Sequence, residues 1–417
     1  KEGHKKTIED VNLERSEVGG SILRISKTNG EWKVIFDDEH NRRIDANTPM
    51  SLVADEPILN ETSVTGTLGN CAGGRTPWNT ILSCEENYHY YTGEVELSNG
   101  RKMIMEPEVG WERFYAMPPE HFGWVIEIDP FTGEAKKHTS MGRFAHESAT
   151  VVEAKDGRCV VYSGDDKVNQ CLYKMIADEP GSLDKGTLYV ADVNKGEWLL
   201  LDHVKNPRLR GHFRSQLDLL IRTRDAAALV GATPLDRPED IERDPTTGSI
   251  FVTLTKNKLA GRHFGSILKI EESGNDPLSL TFNAFTFLSG GNDTGFACPD
   301  NLAFDNAGNL WFTSDISGEQ LNQTPYSQFK NNGLFIVPVK GEQAGHVIQV
   351  GSAPVHAEFT GIRFSDDGRS LFASIQHPGE ASDGIHDLKS HWPDGGSTMP
   401  RPSVIVIEGD LISNFCI

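Results

Sequence analysis

Seven short polar segments between residues 70 and 361 carry the residue types that bind cations and phosphate. They are Asn70-Cys71-Ala72-Gly73-Gly74-Arg75-Thr76-Pro77-Trp78, Ser83-Cys84-Glu85-Glu86-Asn87, Gly142-Arg143-Phe144-Ala145-His146-Glu147-Ser148 and Ser163-Gly164-Asp165-Asp166. Three more follow: Asp236-Arg237-Pro238-Glu239-Asp240, Cys298-Pro299-Asp300-Asn301 and His356-Ala357-Glu358-Phe359-Thr360-Gly361. A single acid beside Gly or Pro is usually a turn residue, but recurrence suggests a set of oxygen ligands for hard cations. Cys71 reads as a small buried hydrophobe or, as thiolate, as a ligand for iron or zinc. Gly73 and Gly74 beside it permit a close backbone approach. Arg237 pairs with a neighbouring acid or clamps phosphate with its planar fork, with Glu239 then free to bind metal. Glu147 is a strand-edge charge or a ligand; His146-Glu147 is not a zincin motif, because Thr150 stands where the second histidine belongs. Asp300-Asn301 suits an Asx turn as well as a metal site. Neither a P-loop nor a Gly-x-Ser-x-Gly elbow occurs, and no Ser/His/Asp triad stands out. Hydrolytic chemistry here therefore points to metal activation of water or oxide.

The elements that must hold these segments are short strands. A turn closing on Gly precedes an apolar run four times: Gly157 before Cys159–Tyr162, Gly248 before Ile250–Val252, Gly308 before Leu310–Phe312 and Gly368 before Leu371–Ala373. Partner strands lie at 123–129, 186–193, 266–270, 333–339 and 403–408. Strands of about five residues between Gly/Asp/Asn turns are hairpin signals. Their repetition at about 40–45 residues per unit predicts an all-β fold, a β-propeller occupying 1–417 as one domain. The polar segments then fall in loops converging at one end. A β-sandwich or β-helix is the competing architecture, although sandwiches rarely need this length. Residues 94–119, 206–223 and 379–402 break the pattern and read as excursions over one face, with a helix expected at 216–221.

Composition narrows the function classes. The 417 residues include 40 Lys and Arg against 60 Asp and Glu, a formal net charge of −20. Such a surface repels phosphate backbones, so nucleic acid is not an expected partner. The apolar runs are too short to span a bilayer. Six cysteines (Cys71, Cys84, Cys159, Cys171, Cys298 and Cys416) form no Cys-x-x-Cys pair, which argues against a structural zinc knuckle.

The segments NCAGGRTPWNTILSCEEN, GRFAHESATV, YSGDD, RPEDIE, CPDNLAFDNAGNLWFTSD and HAEFTGIRFSDDGRSLFASIQHPGE together resemble the PhoX family of alkaline phosphatases, over about Ser51 to Ile407. The resemblance implies a six-bladed propeller, ferric iron (Fe3+) and calcium (Ca2+) joined by a bridging oxo group, and phosphate monoesters as substrates. It also implies a periplasmic or extracellular location. Carried onto matching positions, Cys71 is an iron ligand, and Glu85, Glu147, Glu239, Asp300 and Glu358 supply carboxylates to the cluster. Asp166 is a calcium ligand, Arg237 binds substrate phosphate, and Glu239 acts beside it. Glu86, Asp240, Asn301 and Thr360 lie next to matched positions. The family pattern also includes an earlier Asn-His-Glu-Tyr stretch without a counterpart ahead of Gly19-Gly20-Ser21. Two other readings are a calcium-dependent lactonase-like propeller, which has no use for a thiolate, and a non-catalytic binding propeller.

Overall fold

Continuous apolar runs favour strands that are covered on both faces. The computed structural model describes residues 6–98, 101–410 and 412, which leaves Cys416 outside the described residues. The chain is a mainly-β protein of the propeller class. Five sheets of three or more strands occur among the described residues, where six blades were expected. The difference arises early in the chain. Pro49–Val53 and Ser63–Thr65 do not found a sheet of their own; Pro49–Val53 pairs parallel to Ala135–His138 and widens the first sheet to six strands.

Two compact units divide the sheets. The first comprises Lys1–Asp166 and Cys171–Thr233, the second Lys167–Gln170 and Pro234–Ile417. In the first unit, one sheet opens with β1 (Asn70–Arg75) and β2 (Ile81–Glu85), and the next with β3 (Thr150–Glu153) and β4 (Arg158–Gly164). The second unit holds three sheets, which open with β5 (Pro238–Arg243) and β6 (Ile250–Leu254), β7 (Pro299–Phe304) and β8 (Asn309–Ser314), and β9 (Glu358–Phe364) and β10 (Leu371–Gln376). Every one of these hairpins is antiparallel. The glycine-plus-apolar repeat marks the second strand of four of them: β4, β6, β8 and β10. β6 is buried along its whole length. Gln216–Ile221 is helical as expected, and Ser215 caps it by accepting from the Asp218 amide.

The first strand of each hairpin has a different grammar. Most of the polar segments expected in loops belong to these strands: Cys71 is in β1, Glu239 in β5, Asp300 in β7 and Glu358 in β9. Alternation hides them because the pairing register shifts within the strand, at Cys71/Gly73, Pro238/Ile241, Pro299/Leu302 and Thr360/Arg363. Such bulges turn successive side chains out of simple alternation. Two residues before the acid, Arg237, Cys298 and His356 all adopt left-handed backbone, with φ of 56°, 53° and 55°. Non-glycine residues take that conformation at a cost and tend to do so at functional sites.

Gly73 and Gly74 serve packing. A Cβ on Gly73 would lie 1.8 Å from the Leu82 carbonyl oxygen, and one on Gly74 would lie 2.0 Å from that of Ala149. The pair lets β1 approach both its hairpin partner and the entry to β3. Arg143 then positions the segment leading to Glu147. It is buried, its Nε donates to the Phe122 carbonyl (2.8 Å), and its Nη2 and Nη1 donate to Glu94 (2.7 and 3.2 Å). Tyr88 Oη also donates to Glu94, at 2.6 Å.

Burial opposes ionisation of Glu94, but the Arg143 charge and hydrogen bonds from Arg143, Tyr88 and the Val95 amide outweigh it, so its pKa is lowered. A lowered carboxyl contributes stability above its unfolded pKa of about 4.3, and that contribution is lost as pH falls through the folded value. Glu94→Gln is therefore expected to lower unfolding stability by about 3 kcal/mol at pH 7. In denaturant titrations the gap to wild type should stay constant between pH 6 and 8 and narrow below pH 4.

Candidate metal centre

In the first unit the Cys71 thiol lies 2.8 Å from Glu147 Oε1 and donates to it. Glu86 completes a group of three whose ligand atoms lie within 4.8 Å of one another. Glu147 is buried and Cys71 partly exposed, so a sulfur and two carboxylates meet at a semi-accessible point. β1 carries Cys71, the residue after β2 is Glu86, and Glu147 enters just before β3.

Glu85 does not join this group among the described residues. Fully buried, it accepts from Lys137 Nζ (2.8 Å), the Leu68 amide (3.1 Å) and the amides of Gly123 (2.9 Å) and Trp124 (3.2 Å). Four donors fill its two oxygens, the usual condition for a buried carboxylate with a structural role. Asp165 is similarly occupied, since Arg224 grips it from Nε (2.7 Å) and Nη2 (2.6 Å). Asp166 follows β4, and its amide donates to the Ala145 carbonyl at 3.0 Å, which sets it beside the strand entry that bears Glu147. His146 is pinned between Ser163 Oγ and the Gly142 carbonyl, both at 2.8 Å. Burial, helped by the Arg224 charge, pushes its pKa down to about 3, so the ring stays neutral.

The second unit gathers a denser set. Glu239 and Asp300 are buried, with carboxylate oxygens within 4.8 Å of each other. Arg237 reaches Glu239 Oε1 at 2.8 Å and Asp315 Oδ2 at 3.6 Å. Lys256 Nζ donates to the Asp315 carbonyl at 2.9 Å and stands 3.3 Å from Asp315 Oδ2. Glu358 is buried and lies 3.5 Å from His377 Nε2. Burial and the charges of Asp315, Asp300 and Glu380 raise the Glu358 pKa well above the ordinary range. Burial acts in the same sense on Asp315, but Lys256, a hydrogen bond from Glu358 and Arg237 outweigh it and hold Asp315 well below that range. Burial and mutual repulsion thus favour the neutral form of Glu358 and the charged form of Asp315. Crowded carboxylates that repel one another are relieved by a cation, so this donor set fits a hard metal ion.

Residues adjacent to the acids do different work. Asp240 Oδ2 accepts from the Leu302 amide (2.8 Å), which ties β5 to β7, and Asn301 Oδ1 accepts from the Gly361 amide (2.7 Å), which ties β7 to β9. Sequence reasoning missed Lys256, Asp315 and His377. A periodic signal marks them nonetheless: Glu86, Asp165, Lys256, Asp315 and His377 all lie one or two residues beyond the second strand of a hairpin.

Fold and clusters together define a propeller enzyme that presents carboxylates, a thiol and a guanidinium, the equipment of a metal-dependent phosphatase. The family described as alkaline phosphatase PhoX matches residues 1–379. The structure of Pseudomonas fluorescens PhoX in complex with vanadate, a transition state analogue, is 31% identical, with a TM-score of 0.84 over 97% of this chain and 82% of that one. This chain belongs to the PhoX alkaline phosphatase family. The periplasmic gluconolactonase PpgL of Pseudomonas aeruginosa is 12% identical, with a TM-score of 0.37 over 85% of this chain and 74% of that one, too low to support a lactonase reading. No curated protein sequence matches the chain.

If Glu85 is a structural acid, Glu85→Gln should lower stability by about 3–5 kcal/mol, because it leaves Lys137 buried without its counter-charge. Metal content per folded molecule, measured by elemental analysis, should match wild type.

Proposed function

We propose that this phosphatase hydrolyses phosphate monoesters with the help of iron and calcium. The observation that carries the proposal is Cys71 Sγ at 2.8 Å from Glu147 Oε1, with Glu86 in the same group and the acids Glu239 and Asp300 clustered in the second unit. Ferric iron accepts both thiolate and carboxylate, whereas calcium takes oxygen alone. Cys71, Glu147 and Glu86 are the proposed ligands in the first unit, with Asp166 as a further calcium ligand. Glu239, Asp300 and Glu358 are those of the second. When bound, the cations supply positive charge to the phosphate and its departing oxygen and lower the pKa of water.

The chain's own groups bind and orient. Arg237, which now pairs with Glu239 and Asp315, turns its two forward N–H donors onto the phosphate oxygens. Lys256 fixes Asp315, and Asp315 in turn limits how far the Arg237 guanidinium can swing. Glu358, crowded by Asp315 and Asp300, would be held as a carboxylate by a bound cation. Work outside the cytoplasm, in the periplasm or the medium, is part of the proposal and rests on the family resemblance.

The test combines a metal count with a phosphate-release assay. Cys71→Ser is expected to lose iron, with turnover down by about 10²-fold or more. Arg237→Lys keeps the charge but loses the fork, so kcat/KM for a monoester should fall at least about tenfold. Full turnover after complete calcium removal, or stoichiometric iron in Cys71→Ser, would overturn the iron–calcium reading.

A further inference from the structure

A second group of ligand-type side chains lies in the first unit, on residues that play no part in the proposed chemistry. Glu127, on the strand Val125–Ile128, is buried and accepts from Trp78 Nε1 (2.7 Å), Thr80 Oγ1 (2.6 Å) and His138 Nε2 (2.7 Å). His138 ends the neighbouring strand Ala135–His138 and is fully buried. A carboxylate can only accept, so Nε2 carries the hydrogen and, in the neutral ring, Nδ1 carries the lone pair. That nitrogen has no hydrogen-bond partner. It faces Asp184 Oδ1 across 3.8 Å. Lys136 Nζ, 2.7 Å from the same Asp184 oxygen and 3.3 Å from Glu127 Oε2, supplies the positive charge of the group.

We propose that His138 Nδ1 and Asp184 form a site for a zinc-class divalent cation, with Glu127 orienting the imidazole from behind. Carboxylate–histidine–metal relays have this form: one ring nitrogen donates to an acid and the other binds the ion. The gap suits it. Zinc bonds of about 2.0–2.2 Å to imidazole nitrogen and to carboxylate oxygen span about 4.1 Å end to end, so 3.8 Å closes with an open nitrogen–metal–oxygen angle. Calcium is the wrong cation, because it selects oxygen ligands. The ion enters from the Asp184 side, which is half exposed, and displaces the Lys136 ammonium, whose side chain is one-third exposed and free to turn outward. An adjoining cavity of about 250 Å³, lined by Thr139, Ser140, Asp184 and Lys185, holds room for water ligands.

Asp184 lies in the turn between Leu172–Pro180 and Gly186–Asp192, in the second sheet of the unit, whereas His138 and Glu127 belong to the first. A bound cation therefore fastens two sheets together, and its effect is on stability. The site is independent of Cys71 and of the acids assigned to the phosphatase centre.

Zinc chloride titrated calorimetrically into the purified, metal-loaded protein tests this, with cobalt(II) absorption as a second readout of nitrogen and oxygen ligation. Wild type is expected to take up one zinc beyond its resident metals and to gain thermal stability. Asp184→Asn should weaken that binding at least about tenfold and abolish the gain, whereas Lys136→Met, which removes the competing ammonium, should tighten it. Phosphate release without added zinc should be the same in all three proteins. Equal zinc binding in the three would overturn the proposal. Binding confined to Lys136→Met would overturn it too, because the ammonium would then own the position in the natural chain.

Discussion

Negative charge held away from water is the constraint on which the rest of this structure depends. A buried carboxylate must find a positive partner, a set of hydrogen-bond donors or a proton. Several acids are answered by fixed cations: Glu85 by Lys137, Glu94 by Arg143, Asp165 by Arg224 and Asp315 by Lys256. Others are answered differently. Glu147 receives a thiol, and burial with the charges of Asp315 and Asp300 raises the Glu358 pKa. A thiol proton is exchangeable for metal, whereas a lysine or arginine hydrogen bonded in the core is not, and the centre carries one cation of its own, Arg237 facing Glu239.

The opening strands make this arrangement possible. A regular strand sends successive residues to opposite faces, so strict alternation fixes the direction of each polar side chain whether or not its partners lie there. The register shifts in β5 and β7 remove that difficulty. Glu239 and Asp300 are presented to the centre, while Asp240 and Asn301 accept amide hydrogens from the next strand. One dipeptide thus supplies both a ligand and a clasp, and the clasp fixes the spacing of the ligands. The left-handed residues Arg237, Cys298 and His356 set up the same entry in all three sheets of the second unit. Ahead of β5 that residue is also the guanidinium that faces Glu239.

Much of the fold was legible because its signals are local. Apolar runs such as Leu310-Trp311-Phe312 after a glycine turn need no distant information to read as strands, and Gln216–Ile221 announces its helix with a serine cap. The opening strands look like loops in sequence, since Pro238-Glu239-Asp240-Ile241 has neither alternation nor an apolar majority. Sheet number differs from the six blades that the resemblance implies for a non-local reason. Nothing near Pro49–Val53 says that it will pair parallel to residues nearly ninety positions later.

The centre divides along the same line. Sequence alone determined its chemical vocabulary, a cysteine among repeated acids with one arginine before a proline, because ligand type is a property of the side chain. It also determined the family, because several specific segments recur together. Tertiary structure decided which acids are available. Glu85 and Glu86 are neighbours of one residue type, yet one is saturated by Lys137 and three backbone amides while the other reaches Cys71 and Glu147. That choice depends on donors brought from Leu68, Gly123, Trp124 and Lys137, and only folding sets their positions.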